Sequence, residues 1–157
     1  MRKRNLNTVS GLSWKSYGPD ARFNYPIGYH GALLGHDKFG HLDLLYRWDP
    51  GKYCHFHRHL CDVRSTVIAG QLEVVVFESG IEVSSVTRET GSFSYMPPGD
   101  VHMERGGPNG ATVLFHLFAP EGQLTELLAE DGTALKTLTT EEAVSYTHLT
   151  LPTISVV

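Results

Sequence analysis

Charge is scarce in this chain of 157 residues and leans negative: 13 Lys and Arg against 17 Asp and Glu give a formal charge of −4. Proteins that hold nucleic acid carry a basic excess on one face, so this balance argues against such a partner. The basic start, Arg2-Lys3-Arg4, has no apolar run behind it and reads as a solvated terminus rather than a targeting segment. No apolar stretch approaches the ~20 residues that a membrane-crossing helix needs, so no membrane partner is expected. Cysteine is nearly absent, with only Cys54 and Cys61. With no export signal the cytoplasm is the default compartment, where structural disulfides are rare, and both are expected as free thiols. There is no internal repeat and no low-complexity tract.

What the chain does have is punctuation. Sixteen glycines and eight prolines separate many short β-branched runs, a pattern of an all-β sandwich or barrel. Strands are expected over Leu42–Trp48, Tyr53–His59, Ser65–Ile68, Leu72–Phe77, Ile81–Val86, Ser92–Met96 and Ala111–Phe118. The turns fall at Asp49–Gly51, Ala69–Gly70, Glu78–Gly80 and Pro97–Asp100. Gln123–Leu138 reads equally as a hairpin or as a short helix followed by a strand. The length suits one domain with one core. Residues 1–40 form an irregular arm whose Trp14, Tyr17, Phe23, Tyr25 and Tyr29 must be buried somewhere, either on the chain's own barrel or across a homodimer. Residues 41–143 form the domain itself.

The end of the chain stands apart. Val144–Thr153, reading VSYTHLTLPT, resembles the translated end of a common transposase sequencing adaptor, and Ile154–Val157 resembles its continuation. Residues 144–157 are therefore set aside as a non-native tail, the competing reading being a true terminal strand. Just before it, Thr139-Thr140-Glu141-Glu142 has the form of a capping box opening a helix.

Histidine carries the chemistry. His57 and His59 are two apart in an expected strand and share a face, while His102 arrives from a second strand behind the Pro97-Pro98-Gly99 turn. Imidazoles converging in this way suit a first-row divalent metal. The two segments together resemble the paired motifs of the cupin superfamily, G-x5-H-x-H-x3-4-E-x6-G and G-x5-P-x-G-x2-H-x3-N. Gly51, His57, His59, Gly70, Gly91, Pro97, Gly99 and His102 fall on that pattern. Val63 stands in the glutamate place and Gly106 in the asparagine place. The resemblance implies a cupin double-stranded β-helix, or jelly-roll barrel, with the three histidines around a central cavity.

With the usual carboxylate gone, Asp62, Glu73, Glu78 and Glu104 compete for its role. Asp62 precedes the standard position by one residue and is taken as a candidate metal ligand beside His57, His59 and His102. Glu104 shares strand parity with His102 and can face the cavity, as a ligand or as a group orienting substrate or water. Glu73 and Glu78 read as solvated residues. His116, inside an apolar strand, either lines the pocket as a second catalytic candidate or is a hydrogen-bonded core histidine. His55 lies roughly 13 Å along the strand from His59, too far to share one ion, and reads as a rim residue. Cys54 is expected in the core, and Cys61 as a buried thiol or a ligand. Tyr46, Trp48, Tyr53, Tyr95 and Met96 are candidate cavity walls.

The run His57-Arg58-His59-Leu60-Cys61-Asp62-Val63-Arg64 is similar to the H-R-H-T-G-E-V-H stretch of 2,4'-dihydroxyacetophenone dioxygenase-like cupins, and Gly91–His102 to their G-S-Y-x-Y-x-P-P-G-D-V-H. That likeness spans Leu42 to Phe118. It implies an iron(II) dioxygenase using dioxygen on a small-molecule substrate: a hydroxyketone, a diketone or a phenolic compound. Zinc, manganese and nickel are the alternative metals. The same subgroup is similar to the zinc-binding module of certain anti-sigma factors, which implies a non-catalytic zinc- or ligand-sensing cupin. A metal-dependent isomerase or lyase, with Glu104 or His116 as base, is the third reading.

Overall fold

A computed structural model of the chain describes residue 3 and residues 5–145. Ten strands follow in order: β1 (Trp14–Tyr17), β2 (Tyr29–His36), β3 (His41–Trp48), β4 (His57–His59), β5 (Asp62–Glu78), β6 (Ile81–Glu89), β7 (Phe93–Met96), β8 (Val101–Phe118), β9 (Gln123–Leu128) and β10 (Ala134–Thr139). Every paired strand is antiparallel. This is the all-β fold that the punctuation implies, closed as the jelly-roll barrel that the resemblance to cupins implies.

Two long strands close the barrel. β5 and β8 pair from Asp62↔Phe118 to Val75↔Met103, and each changes its second partner halfway along. The first half of β8 lies against β4 and its second half against β3, while β5 passes from β7 to β6. Such a sheet must bend between the halves, and register shifts after Val67 and Gly70 mark the place. Gly70 has φ +70 there, and a Cβ on it would lie 2.1 Å from the Gly110 carbonyl oxygen. Only glycine fits so close an approach. The Ala69–Gly70 turn expected from sequence is thus a bulge inside one continuous strand.

Alternation fixes which residues face inward. Along β8, Ala111, Val113, Phe115 and Leu117 are buried while His116 and Phe118 are exposed, and β5 buries Val63, Ser65 and Val67 against them. Leu42, Leu44 and Trp48 of β3 complete this core.

The first forty residues are less irregular than their composition suggests, because β1 and β2 extend the sheet beyond β3. Their aromatics pack on the chain's own strands: Tyr17 stacks on Tyr29 at 4.4 Å, and Phe23 and Tyr25 join the core. β9 and β10 form a hairpin, which resolves the open reading of Gln123–Leu138. The capping box also forms, with Glu142 N–H donating to Thr139 Oγ1 at 3.2 Å, and a helical turn covers residues 140–145. Residues 146–157, most of the adaptor-like tail, lie outside the described residues.

Candidate metal centre

The strand expected over Tyr53–His59 is short, beginning only at His57, but its alternation survives. His57 and His59 point inward from β4, and the register His57↔His102 sets the third imidazole directly across. The turn before β8 is tied to β4 at both ends: His59 N–H donates to the Asp100 carbonyl at 2.9 Å, and Gly99 N–H to the His59 carbonyl at 2.7 Å. Two residues along β8 from His102, Glu104 comes to the same inner face by strand parity.

These four side chains form one cluster whose donor atoms all lie within 4.8 Å of one another. The Nε2 atom of His102 is 3.0 Å from that of His57 and 3.1 Å from that of His59. Glu104 Oε1 lies 2.7 Å from His102 Nε2 and 3.6 Å from His57 Nε2. Two donors each about 2.1 Å from one cation are about 3.0 Å apart at right angles and about 3.4 Å apart at the tetrahedral angle. The observed spacings are those of a donor set around one ion.

The surrounding hydrogen bonds favour the same reading. His57 Nδ1 donates to the His55 carbonyl at 2.8 Å and His102 Nδ1 to Asp100 Oδ2 at 2.7 Å, so both rings are held with Nε2 toward the centre. Glu104 is almost fully buried, and its Oε2 has no partner, as has His59 Nδ1. An orphaned buried carboxylate oxygen is costly unless something cationic meets it.

Electrostatics keep two of the imidazoles neutral, the form that binds metal. Burial, followed by repulsion from His102, lowers the His57 pKa to about 4. Burial, then His57 and His102, lowers that of His59 to about 2. For His102 burial opposes the charge, but Glu104 and Asp100 outweigh it and raise the pKa. Burial likewise opposes ionisation of Glu104, and the three histidines reverse this, taking it down to about 2.

The structure does not bring Asp62 or His116 to the cluster. Asp62 alternates outward between buried Cys61 and Val63 and accepts a hydrogen bond from the Tyr95 hydroxyl. His116 stands on the outer face of β8, paired with Asp43 of β3. Glu73 is held by Arg105. Both cysteines are buried free thiols. Burial pushes the Cys61 thiol up to about 12, and its Sγ donates to the Leu124 carbonyl at 3.6 Å, away from the histidines. Cys54 lines the cavity, with Sγ 3.8 Å from His57 Nδ1, although strand parity alone would turn it away; the chain before His57 is not in the ladder.

A cavity of about 90 Å³ adjoins the donor set, with His57, His59 and Glu104 in its lining. Tyr46 and Trp48 are among its walls, whereas Tyr53, Tyr95 and Met96 are not. Sequence reasoning missed Phe115, Leu117, Leu124 and Tyr29 as lining residues. The inward parity of β8 could have indicated the first two. No local signal indicates Tyr29, which comes from the arm. His55 is buried on this cavity rather than on its rim: its Nδ1 lies 2.8 Å from the Tyr29 hydroxyl and its Nε2 3.4 Å from Asp20 Oδ2.

No family model and no curated protein matches the chain. Solved structures do resemble it. An acetylacetone dioxygenase from Acinetobacter johnsonii superposes with TM-score 0.67 at 15% identity, over 96% of this chain and 95% of that one. A cupin 2 conserved barrel domain protein from Rhodopseudomonas palustris gives 0.65 at 17%, over 83% and 87%. A DMSP lyase from Ruegeria pomeroyi gives 0.58 at 16%, over 78% and 64%. At such identities the likeness is one of fold, and the fold is that of the cupin barrels.

Proposed function

We propose that the chain is a metal-dependent cupin, with His57, His59, His102 and Glu104 holding a divalent ion, and that it acts as an iron(II) dioxygenase on a small hydroxyketone, diketone or phenolic compound. The observation that carries this reading is the convergence of three imidazoles and a carboxylate, three of the four side chains buried, beside a cavity walled largely by aromatic and aliphatic side chains. Iron, when bound, supplies Lewis-acid polarisation of substrate oxygens and electron exchange with dioxygen.

The chain supplies the rest. Two imidazoles stay neutral at physiological pH and so offer lone pairs, and the His55 carbonyl and Asp100 keep those of His57 and His102 aimed inward. Aromatic and leucine walls make the lining largely apolar, which strengthens the polar contacts inside. A volume of about 90 Å³ restricts the substrate to a compact molecule. Glu104, with one oxygen on His102 and the other without a partner, is the group best set to take or orient a substrate proton if it does not ligate the ion.

A second reading is a closed zinc site with a sensing role. What favours it is the number of donors, since four protein ligands are enough to fill a tetrahedral site. Metal analysis of protein purified without a histidine tag, followed by oxygen uptake with candidate hydroxyketones, separates the two. Iron with substrate-dependent oxygen consumption supports the dioxygenase. Zinc with four protein ligands and no exchangeable water refutes it.

A further inference from the structure

A line of three polar residues leads from the surface into the cavity, and nothing in the metal site uses it. Asp20, in the arm, is gripped by Arg22 through contacts of 2.7, 3.0 and 3.2 Å. Its Oδ2 faces His55 Nε2 at 3.4 Å, and His55 Nδ1 faces the Tyr29 hydroxyl at 2.8 Å. Tyr29 lines the same cavity as His57, His59 and Glu104. Its ring is held by Tyr17, stacked at 4.4 Å and 7°, and by Trp48 at 6.1 Å, so the hydroxyl has little freedom to turn elsewhere.

Hydrogen-bond polarity propagates along this line. An ionised carboxylate only accepts, so the ring nitrogen facing Asp20 carries the hydrogen. In a neutral imidazole the other nitrogen, Nδ1, is then an acceptor. The single hydrogen of the Tyr29 hydroxyl is therefore committed to His55, and what the oxygen keeps for the cavity is lone pairs. The opposite tautomer would set a bare Nε2 against a carboxylate oxygen, two acceptors face to face.

We infer that Tyr29 is a hydrogen-bond acceptor for substrate, locked in that polarity by Asp20 through His55, and that the cavity accordingly selects a compound with a hydroxyl donor beside its carbonyl. This rests on the metal-cupin reading above and narrows it: the hydroxyl of a hydroxyketone or phenol can donate to the Tyr29 oxygen, whereas a diketone in its keto form or an ether offers it no donor. The discrimination is that one hydrogen bond made inside a buried site.

The test uses zinc-loaded full-length protein, in which no turnover intervenes, and calorimetric titration with hydroxyacetone and with methoxyacetone. The two share the carbonyl and the adjacent oxygen and differ in the donor. The wild type is expected to prefer hydroxyacetone by about tenfold. Tyr29→Phe removes only the hydroxyl and should bring the two affinities within about threefold at unchanged zinc content. Asp20→Asn, outside the cavity, releases the polarity lock and should also reduce the preference; it carries the test if Tyr29→Phe loses zinc. Equal binding of both compounds by zinc-loaded wild type, or an undiminished preference in both variants, overturns the inference while the metal-site reading stands. A wild type that takes up no zinc, or binds neither compound, overturns that reading and this inference with it.

Discussion

Replacing Glu104 by Gln is the most informative single change, because it keeps shape while removing charge from the centre of the donor set. The side chain is 2% exposed, with Oε1 2.7 Å from His102 Nε2 and 3.6 Å from His57 Nε2. If Glu104 only orients a ligand, its loss should weaken metal binding about 10- to 100-fold, or about 1.4–2.8 kcal/mol. If it is itself a ligand, as its place among the three imidazoles leads us to expect, the loss should exceed about 1,000-fold, roughly 4 kcal/mol, and approach that of a histidine deletion. Competition with a chromophoric chelator for zinc measures this directly, and the metal-free melting temperature serves as the control for folding. A Glu104→Gln protein that folds like the wild type and binds zinc within about threefold of it would refute the donor-set reasoning.

Further outcomes follow from the same geometry. His57→Ala, His59→Ala and His102→Ala should each cut metal occupancy sharply in elemental analysis while leaving the β-sheet circular dichroism in place; full occupancy in all three would exclude this site. The metal-free protein should lose stability as pH falls from about 6.5 to about 4. There the unfolded chain binds protons that buried His57, with its pKa near 4, and His59, near 2, refuse. For His57 this is worth on the order of 3 kcal/mol by pH 4, readable in thermal melts with chelator present, whereas His102, with a raised pKa, acts in the other direction only as pH rises above 6.5. Gly70→Ala should destabilise by about 2–4 kcal/mol in urea titration, because φ is +70 and the new Cβ would meet the Gly110 carbonyl oxygen at 2.1 Å. Removing residues 146–157 should leave zinc affinity unchanged, since among the described residues every donor and cavity wall precedes residue 139.

Period and spacing along the chain were enough to foretell several features. Alternation along a strand put His57 with His59 and His102 with Glu104, and the resemblance of the two segments to the cupin motifs implied the barrel that brings the two pairs face to face. Glycine punctuation also located the strands, although it could not distinguish a turn from the Gly70 bulge, since both require the same positive φ. Which face a strand turns inward, and which distant neighbour a side chain meets, emerged only from the packing of the folded chain. Asp62 and His116 turned outward, and that followed from the inward sense of their strands, set by the packing of the whole sheet. The carboxylate absent at Val63 of β5 had a counterpart at Glu104 of β8, because these strands cross one cavity and either can deliver an oxygen to it. The Asp20–His55–Tyr29 line joins residues up to 35 positions apart. No local pattern encodes it, since it exists only once the arm has folded back as β1 and β2 and carried Tyr29 into the wall of a cavity formed by other strands.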